Sequence, residues 1–164
     1  MLFWCSSTTL KKRKRYNTCM KWLIVAMLAV LLTACASQPE NILDINLKDH
    51  NKLALHIHPI LQIEINGQQQ MIPANIGISS EGMRVIHTHD ATGTLHVESP
   101  TPHQFYLQDF FTIWGKEFSD QCIFQHCENE THDLKMYVNG EESGLFGALP
   151  LRDKDIIRIV YEER

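Results

Sequence analysis

The chain has 164 residues and a formal net charge of −4, with 44% hydrophobic and 21% charged residues. All nineteen acids lie after Cys35 and six of the fifteen Lys/Arg precede it, so the part after Cys35 carries nine bases against nineteen acids, a formal charge of −10. That balance argues against nucleic acid and anionic lipid headgroups as electrostatic partners, and suits either cation binding or a merely solubilising surface. What remains after the N-terminal segment is enough chain for one domain with a modest core.

The N-terminal part reads as targeting sequence. Lys11-Lys-Arg-Lys-Arg15 and Lys21 form a basic region, and Trp22–Leu32 is an apolar run too short to span a bilayer comfortably. It ends at Leu32-Thr33-Ala34-Cys35, which resembles the lipobox of bacterial lipoproteins. The resemblance implies cleavage before Cys35, acylation of Cys35 with chains such as palmitate, and anchoring in the cell envelope. Ala36, where inner-membrane retention would call for Asp, implies sorting to the outer membrane, facing the periplasm. The competing reading is a buried or membrane-spanning helix that ends in Cys, and the charge asymmetry disfavours it. Met20-Lys21 offers a second translation start. The expected organisation is a signal peptide over 1–34, a polar tether over 35–51 and one domain over 52–164.

Within that domain, Leu53–His58 reads as a strand broken at Pro59, and Ile60–Ile65 continues extended. Asn66-Gly67 is a hairpin turn signal, with Gln68–Ile72 returning as an N-terminal hairpin. Residues 73–80 are loop-like. A second hairpin runs out over Arg84–His89, turns at Asp90-Ala-Thr-Gly93 and returns over Thr94–Glu98. Leu107–Trp114 carries apolar residues at 107, 110, 111 and 114, a helical stripe, with Gly115 as its cap. Cys122 and Cys127 are the only cysteines after Cys35 and read as a disulfide in an oxidising compartment; metal ligation by the pair with His126 is the alternative. Leu134–Val138 and Asp155–Tyr161 are the last strands. The expected fold class is α+β: a small, mostly antiparallel sheet with one main helix. The closing run Leu151-Arg-Asp-Lys-Asp-Ile-Ile-Arg-Ile159 resembles the last strand of β-grasp domains, which implies a β-grasp-like domain with the 53–72 hairpin added.

Five of the nine histidines sit in strand-like runs: His56, His58, His87, His89 and His96. Partners in a His-x-His pair point to one face of a strand. Pairing Asp90 with Gly93 sets His87 opposite His96 and His89 opposite Thr94, whereas a one-residue slip would send His87 and His96 to opposite faces. Imidazole is costly to bury without partners and is the commonest transition-metal ligand. The five histidines are therefore candidate metal ligands, with Asp90 or Glu98 as an oxygen ligand or as an acceptor behind them. A His-dominated, thiol-free site suits Zn²⁺, Cu²⁺, Ni²⁺ or Fe²⁺. The bland alternative is that the imidazoles only hydrogen-bond one another or face solvent. Met71 and Met83 could supply thioethers but are read as packing, and His50, His103, His126 and His132 as ordinary loop or tether histidines.

The stretch from about 55 to 161 also resembles a small His-rich envelope domain of bacteria and archaea. The resemblance rests on His56-Ile-His-Pro59, Ile72-Pro-Ala-Asn-Ile-Gly-Ile78, His87-Thr-His-Asp-Ala-Thr-Gly93, His96-Val-Glu-Ser-Pro100, Phe110-Phe-Thr-Ile-Trp-Gly115 and Met136-Tyr-Val-Asn-Gly140. It implies a domain assignment and no mechanism. Ser79, Ser80 and Ser99 lack a nucleophile-elbow setting, and no phosphate loop, zincin helix or dinucleotide fingerprint is present. The leading expectation is a metal-binding envelope lipoprotein for storage, sensing or handover. The alternatives are a structural lipoprotein with an envelope protein partner, and a small metal-dependent hydrolase or oxidase.

Overall fold

The computed structural model describes residues 41–164. The expected signal peptide, the lipobox and Cys35 lie outside the described residues. Among the described residues the architecture is α+β, mostly strands with one α-helix. Its first residues fold onto the domain. Within the stretch read as a tether, Ile42–Asp44 and Leu47–Asp49 form 3₁₀ turns capped by the side chains of Asn41 and Asn46, and Leu43 and Leu47 are buried. A pair of leucines spaced to reach one apolar surface outweighs the polar residues around them.

Strand β1 (Leu55–Ile57) is followed directly by β2 (Ile60–Ile65), yet the two belong to different sheets. The chain changes sheet at Pro59, whose missing N–H cannot serve either ladder. β2 turns at Asn66-Gly67, both at positive φ, into β3 (Gln68–Gln70). The loop over 73–80 then enters a small hairpin unforeseen in the sequence, β4 (Ile78–Ser79) with β5 (Gly82–Met83). The histidine hairpin is β6 (Ile86–His87) and β7 (His96–Ser99). It is shorter than expected: β6 stops at His87, and Thr94 bridges Ile60 instead of pairing with His89. Helix α1 (Leu107–Trp114) begins where Asp109 Oδ2 accepts from the Tyr106 N–H at 2.8 Å, and it is ended by Gly115 in the left-handed region. The remaining strands are β8 (Cys122–Ile123), β9 (His126–Cys127), β10 (His132–Val138), β11 (Glu141–Glu142) and β12 (Ile156–Glu163).

The large sheet has the order β11-β10-β12-β2-β3, antiparallel except for the central parallel pair β12–β2. Alternation along β2 buries Leu61, Ile63 and Ile65. β12 adds Ile157, Ile159 and Tyr161, and β10 adds Leu134 and Met136. These residues share one core with Leu107, Phe110 and Phe111 of α1. Burying each such side chain stabilises the fold by about 1.5–3 kcal/mol.

The second sheet has the order β1-β7-β6 and is antiparallel throughout. It docks on the first through backbone bonds: Leu61 N–H donates to the Gly93 carbonyl and Leu95 N–H to the Pro59 carbonyl, both at 2.9 Å. Gly93 sits at φ +85°, and a Cβ there would collide with the Leu61 carbonyl oxygen, so the seam requires glycine. Cys122 and Cys127 pair across β8–β9 with their sulfurs 2.09 Å apart, at disulfide distance.

Candidate metal centre

The three-stranded sheet separates its residues by face. Ile57, Ile86 and Val97 pack into or against the core, with buried Ser99 beside them. Opposed across the strands on the other side are His56 with Glu98, and His87 with His96. The expected His87–His96 register is the observed one. The turn that sets it is closed by Asp90, whose Oδ1 accepts from the Thr92 N–H at 2.9 Å and its hydroxyl at 2.6 Å.

Those rings converge. Centroid distances are 4.5 Å for His56–His58, 4.7 Å for His58–His96, 4.5 Å for His89–His96 and 4.8 Å for His87–His89. Two triads result, His56/His58/His96 and His87/His89/His96. In each, one ring nitrogen per histidine lies within 4.8 Å of the other two. Such triads can hold a metal ion, since ligand nitrogens about 2.0–2.1 Å from a tetrahedral ion lie about 3.3 Å from one another. The His87 and His89 Nε2 atoms are already 3.2 Å apart.

The surroundings engage one nitrogen of two of the rings. His87 Nδ1 lies 3.0 Å from the Arg84 carbonyl, an acceptor only, so Nδ1 carries the proton and Nε2 the lone pair. On β1, across β7, His56 Nε2 lies 3.1 Å from Glu98 Oε1, so the nitrogen without that contact is Nδ1. His58 is tied by its backbone, its N–H donating to Asp153 Oδ1 at 2.9 Å and its carbonyl accepting from the Lys154 N–H at 3.3 Å. Burial, foremost, lowers the pKa of His87 below the ordinary value, against the pull of the Arg84 carbonyl. Burial followed by the neighbouring His89, His87 and His58 lowers that of His96. Both shifts favour the neutral ring, the form that binds metal.

Of the candidate acceptors, Glu98 contacts His56, whereas Asp90 directs Oδ1 into its own turn, which lowers its carboxyl pKa. Three contributors escaped sequence reasoning. The Arg84 carbonyl is a backbone group. Asp153 arrives from 95 residues away, although the polar run Arg152–Asp155 marked a turn there. Thr88 is buried between two of the candidate ligands: its hydroxyl donates to the Pro73 carbonyl at 2.8 Å and accepts from the Ile76 N–H at 3.0 Å, clamping the Pro73–Ile76 loop behind β6. The alternating polarity of His87-Thr-His89 was its only signal.

The remaining candidates fall elsewhere. Met83 packs against the core as expected, whereas Met71, read as packing, is exposed at the rim of a groove with Trp114 and Phe124. With their sulfurs at disulfide distance, Cys122 and Cys127 offer no thiolate pair. His126 and His132 lie against Tyr161, and His103 against Phe105.

No protein-family model matches the chain, and no curated protein or solved structure matches it either.

Proposed function

We propose that this is an envelope lipoprotein whose domain binds a transition metal, Zn²⁺, Cu²⁺, Ni²⁺ or Fe²⁺, for storage, sensing or handover. The observation that carries the reading is the convergence of five imidazoles, from β1, β7 and the end of β6, into two triads that share His96. Mutual hydrogen bonding alone is the weaker account. Neutral imidazoles need only pair, whereas here two of the five have a ring nitrogen held from behind by an acceptor and the other aimed at a neighbour or left free. The half-exposed His56 and the exposed His89 leave the cluster open to solvent, which suits exchange of an ion. A catalytic role would require an open coordination position that activates water; capture or delivery requires less.

The envelope assignment rests on Leu32-Thr-Ala-Cys35 and the acidic character of the segment after it. It implies a membrane contact through acylated Cys35, and an envelope protein as recipient or donor of the ion. The strand order β3-β2-β12-β10-β11, with its central parallel pair and one helix, supports a β-grasp-like reading of the scaffold. In that reading the grasp uses the 60–70 hairpin, and the histidine hairpin is the addition.

Elemental analysis of the purified protein tests the proposal, compared with a His87→Ala/His96→Ala variant. Bound metal in the first and none in the second is the expected result. If neither retains metal and added Zn²⁺ or Cu²⁺ leaves the melting temperature unchanged, metal binding is wrong. Metal whose chelation unfolds the protein would assign the histidines to a structural staple. Incorporation of labelled palmitate, abolished by Cys35→Ser, tests the anchor.

A further inference from the structure

The two triads meet at one residue, and the strand order decides how. β7, which carries His96, is the central strand of its sheet, with β1 on one side and β6 on the other. Adjacent strands lie about 4.8 Å apart, so the flanking strands stand about 10 Å from each other. β1 and its extension supply His56 and His58 on one flank; β6 and its extension supply His87 and His89 on the other. A single ion, with bonds of about 2 Å, sits on one flank or the other. The environments differ as well. The His56 flank has carboxylates at hand, Glu98 on His56 and Asp153 on His58, while the His87 flank has the Arg84 carbonyl and the buried wall of β6.

Resting on the metal-binding reading above, we infer that the domain holds two divalent transition-metal ions, one in each triad, bridged by the ring of His96. An imidazole has two ring nitrogens, and a neutral one has a single lone pair in the ring plane. Binding the first ion uses that lone pair. Binding the second forms a bond at the other nitrogen and breaks its N–H, the proton leaving to water, so His96 becomes an imidazolate. Each flank then supplies two neutral histidines and half of a shared anion, and leaves room for a water or a partner's ligand on each ion. Consecutive centroids, from His56 through His58, His96 and His89 to His87, are already 4.5–4.8 Å apart, and the two triads close through His56–His96 at 6.4 Å and His87–His96 at 5.4 Å.

The test is a titration of the purified full-length chain with Zn²⁺ alone and with Cu²⁺ alone, read by elemental analysis after desalting. His56 and His89 are exposed, so His56→Ala and His89→Ala remove one ligand per flank without opening the core. Two equivalents are expected in the wild type and one in each variant. The copper-loaded wild type is expected to give an electron paramagnetic resonance intensity well below that of its bound copper, because an imidazolate couples the two spins. One equivalent in the wild type overturns the paired site and leaves metal binding standing. Two equivalents with a full, uncoupled spin count, or two retained in His96→Ala, overturn the bridge. No Zn²⁺ or Cu²⁺ bound by the wild type overturns the metal-binding reading itself.

Discussion

The two sheets bury themselves by different rules. In the five-stranded sheet the inward faces of β2, β10 and β12 are aliphatic with one tyrosine, and polar contacts stay on the outside, as in the Arg158–Glu64 and Lys135–Glu162 pairs. The three-stranded sheet puts its aliphatic residues to the core as well, but covers its other face with imidazoles, one of which, His87, is wholly buried. An apolar face is satisfied by any close packing. A buried imidazole is satisfied only by a particular partner at a particular nitrogen. The large sheet is therefore held by shape alone, and the small one by shape together with the pairing of particular ring nitrogens.

Four changes separate those roles, taken here from the largest expected effect to the smallest. Phe110→Ala strikes the shared core, where Phe110 is fully buried, and is expected to lower stability by about 3–5 kcal/mol. Urea unfolding should show both sheets lost in one transition; separate transitions would mean that the small sheet is an independent unit. Gly93→Ala strikes the seam, forcing a side chain into the Leu61 carbonyl at positive φ, with an expected cost of about 3 kcal/mol. Hydrogen exchange should then lose more protection in β6 and β7 than in β10 and β12. Equal loss in both would show that the seam does not decouple them.

Glu98→Gln strikes only the imidazole face. It removes the carboxylate behind His56 and is expected to weaken metal affinity at least about tenfold, with the melting temperature of the metal-free protein little changed. An unaltered dissociation constant would remove Glu98 from the site. The gentlest probe is pH. Burial holds His87 and His96 below their ordinary value of 6.5, so their neutral folded form contributes stability in full above that value. As pH falls below it the unfolded chain takes up protons the folded one refuses, and that contribution declines until the lowered folded values are reached. Chemical denaturation of metal-free wild type and His87→Asn, at roughly pH 7.5 and 5.5, should show a shallower loss in the variant. Identical slopes would mean that His87 is not the group responsible.

How far the sequence carried this picture depended on the distance between partners. The His87–His96 register was readable because nine residues and a four-residue turn signal fix it locally. The helix was readable from the apolar stripe at 107, 110, 111 and 114. His56 and His58 could be suspected but not placed, since β1 reaches β7 across about forty residues and no local pattern encodes that pairing. The short reach of β6 and the docking of Leu43 and Leu47 were missed because each is set by what the rest of the chain presents there. The hairpin at Ile78–Met83 is local, but with two residues in each strand it is too short for an alternation to show.

The central parallel pair joins residues 60–65 to 156–161, about a hundred positions apart in the sequence. Closing so long a loop costs more entropy than closing a hairpin, so β2–β3 and the histidine hairpin can pair before β12 docks on β2. Asp153, which holds the His58 backbone, comes from that same distant segment. The histidine hairpin forms from its own turn, whereas β1 gains its place on β7 only through pairings made across about forty residues. On the metal-binding proposal, the full set of five histidines is assembled only after those long-range pairings. An ion met before them would find at most His87, His89 and His96.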